Sequence, residues 1–362
     1  VRGEHFPHNY NAVTRSAFYT FLNRHFRLGF PTPVIERDYD FLPREQLSVW
    51  DAAHPAPPAA DPAFERRLLA NLHADIDAQV RDRAASPDGL RTLLRPALET
   101  LVGRRYDDAG DVTWNLADKQ RAGTHVRMTG TLRNATHGEE IPVTWLYPEK
   151  WSGRVVVWLD RTAPAVVADG RPTAAVQRLI DDGFTVVAPE LFHWKIGAAQ
   201  PVVPNPREFA GYTYGYNHPA FCRSVHDLLS VVRFLRTADV DGHPRPSQVA
   251  VAGFGDAAAV VLAARAVAGP AIDRAAVATD GFRFAGLTDY RDPLFVPGMV
   301  RYLDVPGLIS LSAPHPLWLA GEQASDLLPG GYPAAGRDRL VLAADGEDPR
   351  AAATAWLLAE PR

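Results

Sequence analysis

Residues 248–269, QVAVAGFGDAAAVVLAARAVAG, restrict the fold more than any other stretch of the chain. The first six residues are a short apolar run of strand character, Gly253-Phe254-Gly255 is a tight turn, and the remainder is an alanine-rich helix. The small residues Gly253 and Ala257 flank the turn, where a strand passing directly into a helix leaves little room. Two kinds of site are built on such a turn. In a G-x-S-x-G elbow the apex residue is a nucleophile, and here the apex is Gly255. In a G-x-G-x-x-G/A phosphate turn the corresponding residues are Gly253, Gly255 and Ala258.

The surrounding pattern decides between them. RVVVWLD, FTVVAPELF, QVAVAG, RAAVATD, HPLWLAGE and RLVLAAD are short apolar runs, several separated by helical stretches such as TAAVQRLIDDG and FCRSVHDLLSVVRFLRT. Before them, THVRMTGTL and EEIPVTWLYPE alternate in hydropathy on either side of RNATHG, as an antiparallel hairpin does. The expected architecture is α/β: a mostly parallel, doubly wound sheet of eight strands, fronted by that hairpin. The glycine turn then falls on the fifth strand. It follows a long helix striped by Val225, Leu228, Leu229, Val232 and Leu235 and precedes three more strands, the element order of an α/β-hydrolase. A dinucleotide fingerprint normally opens its domain and has an acid about 20 residues on, a place Asp280 can fill. Here a hairpin and two strand–helix units come first, so a nucleotide-binding domain is kept as the second alternative.

Upstream of the sheet, residues 16–26 carry Phe18, Phe21, Leu22 and Phe26 at helical spacing, and residues 30–62 read as a proline-rich, mostly extended linker. Two helices are expected near residues 63–83 and 89–101. The division is therefore a helical segment at 1–29, a linker at 30–62 and an α/β domain at 63–362. The chain opens at Val1 with no methionine and no signal pattern, which suggests processing or a fragment of something longer.

The segments HNYNAVTRSAFYTFLNRHFRLG, LSVWDAAHP and LFVPGMVRYLDVPGLISLSAPHPLWLAGE together resemble the large two-unit proteins of the acetyl xylan esterase-like and dienelactone hydrolase-like α/β-hydrolases. The resemblance covers nearly the whole chain. It implies an active hydrolase unit whose closing segment carries a histidine in a PHNYN-like motif, followed by a degenerate hydrolase-like unit. His8 is then the catalytic histidine of the upstream unit, whose serine and acid come from an upstream portion or another polypeptide. The resemblance also implies carbohydrate esters as the substrate class and an extracytoplasmic location.

Acyl transfer on this fold needs a serine or cysteine at the apex, then an acid, then a histidine, in that chain order. Gly255 has no side chain, so the nucleophile position is vacant. Asp256 is one residue late and should point away from the apex; as a nucleophile in its own right it would have bulky Phe254 where a small residue is needed. Of twelve histidines only His315 follows the elbow, and it lies at the start of a strand, whereas sites of open α/β sheets form at strand carboxyl ends. Glu322 follows the seventh strand, where it is either a remnant of the acid or a surface glutamate in a polar loop. Asp160, His193 and Trp194 lie just past strand ends, where they can line a ligand pocket; the alternative for His193 and Trp194 is that they pack a loop. Cys222, near a helix start, is either a thiol of lowered pKa or a small buried residue.

A formal net charge of −4 gives no electrostatic footprint for nucleic acid or an anionic membrane, and no apolar run approaches the roughly 20 residues of a membrane span. One cysteine excludes an intrachain disulfide and a thiolate zinc site, and no cofactor or metal is expected. The leading expectation is a degenerate hydrolase unit acting as structural or ligand-binding partner of an active esterase unit, with that unit or another copy as partner and possible contact with a carbohydrate ester. The first alternative is a working carbohydrate acetyl esterase with an atypical site.

Overall fold

The computed structural model describes residues 10–59, 61, 63–83, 86–161, 166–196, 214–238, 244–329, 331–332, 339–344 and 346–359. The chain divides into two compact units, Val1–Arg67 and Leu68–Arg362.

In the first unit, helix α1 (Ala12–Phe26) starts where the Asn11 side chain accepts the Thr14 N–H at 3.1 Å and stops at Arg27, whose φ of 54° is left-handed. The chain then returns along the helix. Asn23 brackets the Phe30 backbone with two hydrogen bonds, of 2.8 and 3.0 Å, and Arg15 pairs with Glu36, which also accepts the Tyr19 hydroxyl at 2.7 Å. The start of the expected linker is thus tied to α1. The only helix between residues 30 and 59 is one turn, Arg44–Leu47. Phe18, Phe21 and Phe26 remain exposed.

The second unit opens with α2 (Phe64–Arg83), which begins in the first, and α3 (Pro87–Val102). Among the described residues the main sheet has nine strands, beside a two-stranded ribbon at 167–172: β1 (Val112–Ala122), β2 (His125–Asn134), β3 (Glu139–Pro148), β4 (Arg154–Leu159), β5 (Phe184–Pro189), β6 (Gln248–Phe254), β7 (Arg274–Ala278), β8 (Leu317–Ala320) and β9 (Leu340–Leu342). Between them lie α4 (Ala174–Asp181), the single turn α5 (Phe192–Lys195), α6 (Ala220–Thr237), α7 (Ala257–Ala268) and α8 (Asp304–Ser312), and α9 (Pro349–Leu358) closes the unit. The strand order is β1-β2-β3-β5-β4-β6-β7-β8-β9, antiparallel from β1 through β3 to β5 and parallel thereafter. This is the α/β-hydrolase order over eight strands, β2 to β9, with the expected hairpin at β2 and β3. A ninth strand, β1, adds an outer edge. Its apolar alternation, Val112, Trp114 and Leu116, ends at a bulge and gives way to Asp118, Lys119, Gln120 and Arg121, so it lacks the continuous apolar run of the central strands.

Both faces of the sheet are covered, which is why the central strands are apolar at nearly every position after their first residues. In β4, Val155, Val157 and Leu159 face the core built with α3, α6, α7 and α8, while Val156 and Trp158 face α4 and α9. Helix α7 is buried along its whole length. Each of Val260, Val261 and Leu262, withdrawn fully from water, stabilises the fold by about 1.5–3 kcal/mol. Arg265, equally buried, donates from Nη1 to the carbonyl oxygens of Gly269 and Ile272 and so terminates the helix from within.

Pairing of Leu159 with Gly253 sets the end of β4 beside the elbow, and β5 flanks β4 on its other side. Three carboxyl ends therefore converge. A Cβ at Gly253 would lie 2.5 Å from Val261 Cγ2, whereas one at Gly255 would meet nothing within 4 Å, although φ there is +58°. Gly253→Ala should lose about 1–3 kcal/mol by overpacking. Gly255→Asn should stay within about 1 kcal/mol of the parent, since asparagine tolerates left-handed backbone. Urea midpoints at unchanged m-value check both; equal losses would mean that close approach does not govern the turn.

Candidate active-site region

The turn at residues 253–257 has the geometry of a hydrolase elbow. β6 ends at Phe254, Gly255 takes the left-handed conformation of the apex, and the Ala258 N–H donates to the Gly255 carbonyl at 3.1 Å as α7 begins. Glycine at the apex leaves the space of a nucleophilic side chain open.

Asp256 extends to the loops after β4 and β5. Its Oδ1 accepts the Trp194 indole N–H at 3.0 Å and its Oδ2 accepts Arg161 Nη1 at 3.2 Å, with His193 Nε2 at 3.6 Å from Oδ2. Burial pushes this carboxyl up, but His193, Trp194 and Arg161 outweigh it and hold the group below the usual carboxylate range. His193 and Trp194 sit on α5. His193 is 1% exposed, with Nδ1 2.7 Å from Ser224 Oγ. The Ser224 hydroxyl donates to the Ala220 carbonyl at 3.1 Å, so its proton is committed and its oxygen accepts from Nδ1. Thus the two residues that the sequence brackets together separate: Trp194 reaches a cleft, and His193 packs beneath it.

Asp160 is buried just past β4 and clamped by Arg350, whose Nε and Nη2 lie 2.5 and 3.1 Å from its oxygens. Arg350 stands at the start of α9, in the segment after the last strand where this fold carries its catalytic histidine; that segment, residues 343–362, contains none. Glu322, just past β8, is not a surface residue. It is 6% exposed and held by Arg283 Nη1 and Nη2 at 2.8 and 2.7 Å and by the Thr279 hydroxyl at 2.6 Å. A loop position suggests solvent, but an ion pair with satisfied lone pairs allows burial. His315 lies at the amino end of β8, away from these groups. Cys222 is fully buried in the first turn of α6, and burial pushes its thiol up to about 12. His8 lies outside the described residues.

The arginines at 161, 283 and 350 were not distinguished by the sequence pattern. Their one signal is position, each following a strand end by a short loop.

A cleft of about 350 Å³ opens at the carboxyl ends of β4 and β5, lined among others by Thr129, Thr144, Trp158, Asp160, Glu190 and Trp194. Trp158 Nε1 is buried with no hydrogen-bonding partner among the described residues. The cleft wall is anchored from behind: Asp227 on α6 accepts the Phe192 N–H at 2.7 Å and so fixes the turn bearing Trp194.

Burial raises the Asp227 carboxyl to about 7, and burial beside Arg104 lowers the neighbouring His226 to about 4. The raised Asp227 contributes stability below about pH 4 that is lost as pH climbs to 7. The depressed His226 does the reverse, losing stability as pH falls from 6.5 to 4. The two slopes oppose each other in the parent. Asp227→Asn, which keeps an acceptor for Phe192, should expose the His226 slope, and stability should then fall more steeply on acidification from pH 6.5 to 4.5, by up to about 3 kcal/mol. Denaturation midpoints across that range test this; parallel profiles would refute it.

No protein-family model matches this chain, and no curated protein is similar to it in sequence. Solved structures are similar in fold. An inferred acetyl xylan esterase of Bacteroides fragilis superposes with a TM-score of 0.51 at 13% identity, over 72% of this chain and 76% of its own. Acetyl xylan esterase 1 of Thermoanaerobacterium gives 0.43 at 11% identity, over 68% and 86%. A CE15 glucuronoyl esterase of Teredinibacter turnerae gives 0.41 at 15%, over 67% and 70%. At such identities the likeness is one of fold.

Proposed function

We propose that this chain is a non-hydrolysing α/β-hydrolase unit that binds a carbohydrate ester in the cleft beside Trp194 and serves an active esterase unit as its structural or ligand-binding partner. One observation carries the reading: the positions a triad needs hold a glycine and groups already engaged. Gly255 supplies no oxygen to attack a carbonyl. Both oxygens of Glu322 accept from Arg283, and one also accepts from the Thr279 hydroxyl, so this acid is already engaged. Arg350 stands near the histidine's place, and a guanidinium does not accept a proton at neutral pH. The turn thus keeps the fold's geometry without the nucleophile and base of acyl transfer.

The cleft suits a sugar. The half-buried indole of Trp194 offers an apolar surface to the C–H face of a pyranose, and Thr129, Thr144 and Glu190 offer partners for its hydroxyls. The ester part of the reading draws on the esterases that share the fold. The isolated chain should hydrolyse 4-nitrophenyl acetate and acetylated xylan no faster than a heat-treated control, and Gly255→Ser should stay at that background because the new hydroxyl lacks a base. Acetylated xylo-oligosaccharide should still bind, about tenfold more weakly after Trp194→Ala. Turnover abolished by Asp256→Asn would overturn the reading in favour of an esterase with an atypical site.

The partner in this reading is the unit that residues 1–29 would close. Its exposed Phe18, Phe21 and Phe26 are a stripe that a short helix cannot bury by itself. Deleting residues 1–62 should leave the unfolding midpoint of the sheet domain within about 2 °C of the parent. A large drop would instead assign the helix to this domain.

A further inference from the structure

The single turn α5 is held against α6 by three contacts that come from one stretch of that helix. The guanidinium of Arg223 lies over the Phe192 ring, 3.6 Å from its centroid, Ser224 Oγ accepts the His193 N–H at 3.0 Å, and Asp227 Oδ2 accepts the Phe192 N–H at 2.7 Å. From the same turn Trp194 reaches the cleft and donates its indole N–H to Asp256. The firmness of that wall therefore depends on how well four residues sit on one helix.

Asp227 is the vulnerable contact. It is 6% exposed, and among the described residues it has no ion pair and one hydrogen-bond donor, the Phe192 N–H. The titratable and charged groups around it are His193 and Lys195 on α5, Glu139 at the start of β3 with its partner Arg104, and Arg223 and His226 on α6. Glu139 disfavours an anion at Asp227. Lys195 and Arg223 favour one, but both are exposed and screened by water. Burial outweighs them all and keeps the proton on Asp227 up to about pH 7. Its loss leaves an unpaired charge beneath α5. Water reaches that charge at least cost by displacing the turn, because α6 is fixed in the core through Phe221, Val225, Leu228 and Leu229, whereas α5 is one turn long.

We propose that Asp227 is a proton switch for the cleft wall: protonated, it keeps α5 seated on α6 with Trp194 in place, and ionised, it releases the turn. Control of ligand binding by this switch rests on the sugar site proposed above; the motion of the turn does not. The seated form holds the proton more tightly than a hydrated aspartate does, so seating is fully favoured below about pH 4 and weakens progressively as pH rises to 7.

Amide hydrogen exchange of the full chain, read on the peptide spanning 190–196 and corrected for the intrinsic rate, tests the switch. Opening should increase at least tenfold from pH 5 to 7, within the one-proton limit of about tenfold per unit, and level off above, while β4 and β6 stay protected. Asp227→Asn keeps an acceptor for Phe192 and should abolish the rise. Acetylated xylo-oligosaccharide, titrated by calorimetry, should bind the parent several-fold more weakly at pH 7.5 than at pH 5, and the variant equally at both. Exchange at 190–196 that does not change with pH, or that changes alike in parent and variant, would overturn the switch, as would a measurable affinity that is flat across the range. Failure of the oligosaccharide to bind at any pH, with the exchange profile as expected, would remove the sugar reading and leave the switch standing.

Discussion

Helix α7 lies so close to β6 that one methyl group at Gly253 would collide with Val261. Most of the second unit follows from that approach. It requires glycine in the strand and alanine in the first turn of the helix, and it forces the chain through a left-handed residue at 255. It also leaves α7 buried along its whole length, with helices α3, α6 and α8 sharing its core. With the turn fixed and β4 in register against β6, residues 160, 194 and 256 are delivered to one rim although they are far apart in sequence.

What occupies that rim is a set of carboxylates, each met by a guanidinium: Asp256 by Arg161, Asp160 by Arg350, and Glu322 by Arg283. The pairs differ in character. Asp256 with Arg161 is half open to water and contributes little to stability. Glu322 is fully enclosed, so removing its arginine would strand a charge inside the protein.

The fold was legible because its period is loud. Short runs rich in β-branched residues and bounded by glycine or proline, such as VVVWL, read as buried strand, and the hairpin's alternation is equally plain. β1 was missed because its apolar alternation stops at Leu116 and continues as charged residues, which an exposed edge permits and a sequence pattern does not reveal. The site was legible in part. Gly255, Asp160 and Trp194 are placed by their distance from strand ends. The burial of Glu322 depends on Arg283, thirty-nine residues away, and the seating of Phe192 on Asp227, thirty-five residues away. No local pattern encodes such meetings; only the strand order brings them together.

The charged half of β1 has a consequence for how this protein meets its own kind. An open sheet ends in unpaired backbone groups, and a long flat border invites a strand from a second molecule. Here one border carries Asp118, Lys119, Gln120 and Arg121 beyond a bulge, and the other, β9, is three residues long among the described residues. Neither offers a clean template for strand addition. The charges and the bulge of β1 thereby guard this border of the sheet against strand addition from a second molecule.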